Sequence, residues 1–515
     1  MNSAPKLYDE ALSRLREGDL AGGAAGLETT LALAPDHVEA RYRLGKTYLD
    51  LLRLKDAERE LRAVMRLRPE DPRTYSALGI VLVESGRGAE GLEVHEAAVS
   101  LRPTDPVVTT NWLNAQQYVE GVAESRLLDS HKRWAALHAP GAAPTMPAER
   151  RVEGPLTVGF VSPDLTRHPV GRLSVKMFEN LDPALIRPLV FSTRPAELED
   201  DISRRIARAV RWTTAFGLSD ATLGAFIKQA KVDVLIDMCG HMAHNRLTLF
   251  AARAAPVQVS WLGYTGTTGV PAMDYVLAND VLVPRSSEAF FTEKIHRLPH
   301  WHACFEGPAH APAVGPLPAA RAGFVTFGCF NNPAKLSGAA IERMAAILRC
   351  VANSRLVLRY RTLASQEVRE RLTEAFAAQG IALERIDAAG DITDADFMAA
   401  YNKVDMVLDT FPYSGATTTC EAAWMGCPVI TIRGATFAGR QSAAFLTAAG
   451  YPEFIAAHEQ GYEDLAVRLA GDLERLAVMR AEMRARIAAS PVCDGAGFAQ
   501  TFTAAMRAIW VAATR

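Results

Sequence analysis

Apolar positions in the first 106 residues recur at helical spacing and break at regular intervals. Pro35, Pro69 and Pro103 each lead into a short acidic or polar turn (APDHVEA, RPEDPRT, RPTDPVV) and stand 34 residues apart. Leu44 and Gly45 return at that period as Leu78 and Gly79. Thirty-four residues is the length of a tetratricopeptide helix-turn-helix, and Leu44, Gly45, Tyr48, Ala57, Leu61 and Pro69 occupy the hydrophobic, small and terminating positions of such a unit. The first unit keeps Gly23, Leu27 and Pro35 but carries Glu10 and Ala11 where Leu and Gly belong, as a terminal repeat does. Three units predict a short stack with one concave face, which either docks a protein or braces the domain C-terminal to it. Helical spacing continues through Trp112, Leu113, Tyr118, Leu127, Trp134 and Leu137, and residues 141–155, rich in Pro, Ala and Gly, read as a linker.

Beyond the linker the pattern becomes continuous apolar runs alternating with helical stretches. Runs at 156–164, 185–193, 232–238 and 257–263 form one series; runs at 324–330, 355–360, 404–410 and 428–432 form a second. Uninterrupted apolar runs are strands covered on both faces. Two successive βα series predict an α/β chain of two Rossmann-like lobes, with chemistry in the loops after the strands. The expected divisions are repeats at 1–106, a helical extension and linker at 107–150, lobes at 151–315 and 316–475, and C-terminal helices at 476–515 that pack back on the lobes.

Composition narrows the classes. Fifty-six Lys and Arg against 58 Asp and Glu leave a net charge of -2, which gives no electrostatic reason to expect a nucleic acid or an anionic membrane as partner. No apolar run of membrane-spanning length and no secretory leader is visible, so a cytoplasmic location and no membrane insertion are expected. Seven scattered cysteines without a C-x-x-C pair read as reduced thiols, and Cys239, His241 and His244 lack a fourth ligand, so no metal is expected. Neither G-x-G-x-x-G after a first strand nor GxxxxGK[ST] occurs, against a dinucleotide dehydrogenase or a P-loop ATPase.

Four segments carry candidate chemistry. In residues 408–426, LDTFPYSGATTTCEAAWMG, a strand end leads to a helix start near Thr417. The free N–H groups there, with Thr417, Thr418 and Thr419, suit a phosphate, and Glu421 suits a ribose diol; the plain alternative is a capped helix with a dipole-compatible Glu. In CFNNPAKLS, Lys335 follows a strand end, with Asn331 and Asn332 beside it, and either reaches a diphosphate or is a solvated lysine. His168, between a strand end and a helix start, either takes a proton from an acceptor hydroxyl or is structural. In VQVSWLGYTGTTGVPAMDY, glycines after a strand end allow close backbone approach to a sugar or phosphate.

The ordered set HPVG, GHMAHNRL, VQVSWLGYTGTTG, FGCFNNPAK and DTFPYSGATTTCEAAWMG, preceded by tetratricopeptide repeats, resembles the O-linked N-acetylglucosamine transferases and their SPINDLY-like relatives, glycosyltransferase family 41. The resemblance implies a GT-B fold, a nucleotide-sugar donor held mostly by the C-terminal lobe, and metal-independent, inverting transfer to a Ser or Thr of a protein. It implies that His168 is the cleft histidine, as base or as acceptor-orienting group, and that Lys335 neutralises the diphosphate, with Asn332 standing where many members have Gln. It also places Thr417 and Thr418 on phosphate, Glu421 on the ribose, Phe397 near the base, and Leu262 and Gly263 beside the donor sugar. No cofactor is implied beyond the donor, with UDP-N-acetylglucosamine favoured. Ala416, Phe397, Asp394 and Thr265 depart from the family pattern around the donor, which admits a CMP-nonulosonic acid donor with flagellin as acceptor. An inactive repeat scaffold is the alternative from outside the enzymes. Asp394 to Asp396, an isolated Asp-x-Asp, reads as a helix N-cap.

Overall fold

The computed structural model describes residues 3–141, 154–390 and 393–514; most of the segment read as a linker lies outside them. The chain forms two compact units. The first comprises Met1–Gly121, Phe327–Thr393 and Thr410–Pro412, and the second Val122–Thr326, Asp394–Asp409 and Tyr413–Arg515.

In the first unit six helices pair as hairpins: α1 (Ala4–Arg16) with α2 (Leu20–Leu33), α3 (Val38–Asp50) with α4 (Leu54–Leu67), and α5 (Pro72–Glu84) with α6 (Gly88–Leu101). They are followed by α7 (Pro106–Gln116). The 34-residue period has a physical basis in helix starts and in helix crossings. His37, Asp71 and Asp105 share one register and each accepts a backbone N–H of the helix it starts, from Ala40, Arg73 and Val107 respectively. At the crossings the small residue is required: a Cβ on Gly45 would stand 2.8 Å from Leu61 Cγ, and one on Gly79 would stand 2.5 Å from the His95 ring. Successive repeats are laced by Arg62 to Glu90 at 2.8 Å and Arg87 to Glu58 at 2.7 Å.

The second unit holds α8 (Glu124–His138) and a seven-stranded sheet of order β3-β2-β1-β4-β5-β6-β7 in which every pairing is parallel. Its strands are β1 (Leu156–Ser162), β2 (Ile186–Ser192), β3 (Arg211–Thr214), β4 (Val234–Asp237), β5 (Val257–Ser260), β6 (Tyr275–Ala278) and β7 (Lys294–Arg297). The long C-terminal helix, Gly495–Thr514, buries Phe498, Phe502, Met506, Ile509 and Trp510 with Val158, Phe160 and Trp261 of this lobe. Strands of the second lobe fall in both units. In the first, β8 (Thr326–Cys329), β9 (Arg355–Arg359) and β10 (Ile386–Ala389) follow the order β10-β9-β8. In the second, β11 (Met406–Leu408), β12 (Val429–Ile432) and β13 (Ile455–Ala456) lie in sequence order, paired in parallel.

The apolar runs correspond to β1, β2, β4, β5, β8, β9, β11 and β12. The pattern does not reveal β3, β6, β7, β10 or β13, which have four residues at most and, apart from β6, carry little fully buried surface. Among the described residues no helix is long and apolar enough to cross a membrane.

Candidate functional site

The segment after β11 is built around Asp409. Its carboxylate accepts the Thr431 hydroxyl at 2.7 Å and the Gly415 N–H at 2.8 Å, so a buried charge fixes the turn that delivers the chain to the helix Thr417–Trp424. That helix starts without a side-chain cap: Ala416 is the N-cap, at φ -136° and ψ -86°. An alanine there leaves the first N–H groups to find partners elsewhere, where Ser, Thr or Asp supplies an acceptor. Of the three threonines, Thr419 bonds Ser442 Oγ at 2.7 Å and is part of the scaffold. Thr417 differs, since its hydroxyl is buried and has no hydrogen-bond partner within the protein. The Thr418 carbonyl accepts the Tyr401 hydroxyl at 3.2 Å. An orphaned hydroxyl at the positive end of a helix that lacks a side-chain cap is chemically suited to an anion.

Glu421 lies four residues after Thr417 and is buried, with its Oε1 3.2 Å from Arg172 Nη1. Burial pushes its carboxyl up to about 7, Arg172 opposes the rise, and Asp394 adds to it. Asp394 also lies 3.6 Å from Arg172. It opens the helix Asp394–Ala400, so the Asp-x-Asp pair forms the first turn and does not precede it as an N-cap. From the same helix half-buried Phe397 sets its ring perpendicular to that of Tyr401, with centroids 5.9 Å apart.

His168 is the N-cap of the short Pro169–Arg172 turn, and its Nδ1 accepts the Val170 N–H at 3.3 Å. Burial lowers its pKa; the Asp164 carboxylate opposes this, while Arg194 and Arg172 lower it further. The ring is therefore neutral at pH 7. With Nδ1 accepting, the network assigns the proton to Nε2.

The loop after β5 carries the strained backbone of the site. Leu262 has φ +71°, a left-handed conformation costly for a branched side chain. A Cβ on Gly263 would stand 2.1 Å from the Met238 carbonyl oxygen, so only glycine fits. Glu293 holds the loop from beneath by accepting the Thr267 hydroxyl at 2.6 Å and the Thr268 N–H at 2.7 Å, as well as the Thr268 hydroxyl. Tyr264 O–H donates to His131 Nε2 at 2.8 Å, which ties the loop to α8. Thr265 hydrogen-bonds the Tyr413 side chain.

In the first unit, half-buried Lys335 ends the turn Pro333–Lys335 after β8. Asn332 begins that turn: its carbonyl accepts the Ala334 N–H at 3.0 Å and its amide donates to Glu84 of α5 at 3.4 Å. Both ends of the Asn332 side chain thus help to hold the turn that presents Lys335. Cys239 donates to the Ala243 carbonyl, and His241 lies among the rings of His131, Trp134 and Tyr264.

His168, Leu262, Gly263, Phe397, Thr417, Thr418, Thr419 and Glu421 all belong to the second unit, and Asn332 and Lys335 to the first. Sequence reasoning missed Arg172 and Asp164, the charges that flank His168, although both lie within the motif that drew attention to it. It also missed Glu293, which no local signal marks.

A helical repeat domain followed by parallel α/β lobes is the architecture of the GT-B class. Residues 133–309 and 318–502 match glycosyl transferase family 41, and residues 14–81 match a tetratricopeptide repeat. The chain belongs to glycosyl transferase family 41. It is 33% identical over 408 residues to the Arabidopsis thaliana protein described as a probable UDP-N-acetylglucosamine--peptide N-acetylglucosaminyltransferase SPINDLY, and 32% identical over 406 residues to its Petunia hybrida counterpart. Each match covers 78% of this chain and 44% of the relative, so the chain spans less than half the length of these plant proteins. A solved structure of a mutant O-GlcNAc transferase from Thermobaculum terrenum superposes with a TM-score of 0.92 at 31% identity, covering 99% of this chain and 98% of that one.

Proposed function

We propose that this protein transfers a sugar, N-acetylglucosamine in the favoured case, from a UDP-sugar to a Ser or Thr hydroxyl of a protein, with inversion and without a metal ion. The observation that carries the reading is the Thr417–Trp424 helix, whose start lacks a side-chain cap and holds a buried, unpartnered Thr417 hydroxyl one turn before the buried carboxylate of Glu421. A nucleoside diphosphate presents that pair of groups: phosphate oxygens for the N–H groups and Thr417, and a ribose diol for Glu421. Phe397 offers an aromatic face to the base, and the Leu262–Gly263 backbone lies beside the sugar.

In the reaction the acceptor Oγ attacks C1 on the face opposite the leaving group. The C1–Oγ bond forms as the bond from C1 to the β-phosphate oxygen breaks, and UDP leaves with the electron pair. The helix terminus stabilises the charge that develops on the diphosphate, the task a divalent cation performs elsewhere, and Lys335 is assigned the same role by its match to the family motif. His168, protonated on Nε2, donates a hydrogen bond and orients the acceptor or the donor oxygen. The acceptor proton departs to the diphosphate or to water. The repeats dock the acceptor protein, of which flagellin is one candidate.

The test is transfer of labelled sugar to protein acceptors in a lysate by wild type and by the His168→Ala and Lys335→Ala variants. An enzyme of this kind loses turnover in Lys335→Ala while remaining folded. Unchanged turnover in Lys335→Ala removes the proposed leaving-group role, and wild type inert with every nucleotide-sugar supports the scaffold. Transfer only from a CMP-nonulosonic acid overturns the UDP assignment.

A further inference from the structure

We propose that Arg172 is a positioning residue for the donor nucleotide: by pairing with Glu421 it orients that carboxylate and favours its ionised, acceptor-only form toward the ribose hydroxyls. The inference rests on the reading of Glu421 as the ribose partner and adds the residue that makes it competent.

The side chain of Glu421 is 7% exposed, and a carboxylate so buried is neutral unless a cation compensates it. The compensating group is Arg172, at 3.2 Å from Oε1 through Nη1, with Nη2 turned to Asp394 at 3.6 Å. The titratable and charged groups that act on Glu421 are Arg172, from the turn after His168, and Asp394, from the Asp394–Ala400 helix; the neighbouring Cys420 thiol is buried and neutral. Asp394 in turn faces Arg167, and Arg172 faces His168, which also has Asp164 and Arg194 around it. Without Arg172 the charge left facing Glu421 among the described residues is that of Asp394, which repels it. A protonated Glu421 carries a hydrogen on one oxygen and can no longer accept from two hydroxyls at once.

Arg172 stands four residues after His168 in one short turn. The same piece of chain that presents His168 therefore also sets the charge of the nucleotide receptor.

The experiment is titration calorimetry of UDP and of 2'-deoxy-UDP with wild type, Arg172→Met, Arg172→Lys and Glu421→Ala, at pH 7 and pH 9. Wild type prefers UDP by about tenfold or more, the scale of a hydrogen bond to a charged acceptor. Arg172→Met shows a smaller preference than wild type at pH 7 and recovers part of it at pH 9, because more of the carboxyl is ionised there. Arg172→Lys, which keeps the charge, keeps the preference. A preference retained in full by Arg172→Met at pH 7, or one that does not rise by pH 9, overturns the role assigned to Arg172. Glu421→Ala retaining the full preference, or wild type failing to bind UDP, instead overturns the ribose reading beneath it.

Discussion

The helix starts at Asp71 and Asp105 and the start of the Thr417–Trp424 helix are built differently. In the repeats Asp71 and Asp105 cap the helices they start, and arginines of one helix meet glutamates of the next. At the Thr417–Trp424 helix the N-cap residue is an alanine and the first hydroxyl is buried without a partner. A buried hydroxyl without a partner at a helix start marks the second region as a place where a ligand can complete the structure.

That contrast can be broken or sharpened by substitution. Lys335→Ala should lower turnover by about a hundredfold to a thousandfold, the usual cost of removing one charge-stabilising donor, with little change in melting temperature; steady-state kinetics beside calorimetry checks both. Ala416→Asp should part stability from function. A proper N-cap gains about 1 kcal/mol in denaturant unfolding, while a carboxylate where phosphate belongs weakens UDP binding by roughly tenfold or more. Gly263→Ala should cost about 1–3 kcal/mol or more, since the added carbon meets the Met238 carbonyl, and unfolding curves will show it.

The pH dependence is a smaller effect with a definite sign. Glu421 titrates near 7 in the folded protein, above its unfolded value of about 4.3, so its contribution to stability is present in acid and is lost as pH rises through about 7. Nucleotide binding uses the ionised form and runs the other way: UDP affinity should fall severalfold from pH 8 to pH 6 in wild type and stay flat in Glu421→Ala. Smallest in functional terms, Asp71→Ala should cost about 1 kcal/mol of stability and leave UDP affinity untouched.

Much of the fold was legible because its signals are local. Proline spacing, the small residues at positions 45 and 79, and the runs around β1, β4, β8 and β11 each declare an element within a few residues. The half-exposed edge strands β3 and β10 carry no such signal, because pairing and not composition makes them strands. The helix start at Thr417 was legible for the same local reason, as a strand end followed by small and hydroxyl residues. Partnerships across the chain stayed hidden: Arg172 with Glu421, 249 residues apart, and Asn332 with Glu84, 248 apart. The motif containing Asn332 shows an amide but not the repeat helix that occupies it. Likewise, the substitution at Thr265 stands out in sequence, yet its bond to Tyr413 exists only once the loops are folded.

The central claim, a receptor for a uridine diphosphate built on the uncapped Thr417 helix, is tested most directly by thermal stabilisation of the purified protein with UDP, GDP and CMP, each at about a hundred times a micromolar Kd. A ligand that binds only the folded state adds about 2.7 kcal/mol at that excess. The account predicts a rise in melting temperature with UDP that is abolished in Ala416→Asp and absent with CMP. A rise with CMP alone, or an Ala416→Asp variant that responds to UDP as wild type does, would contradict it.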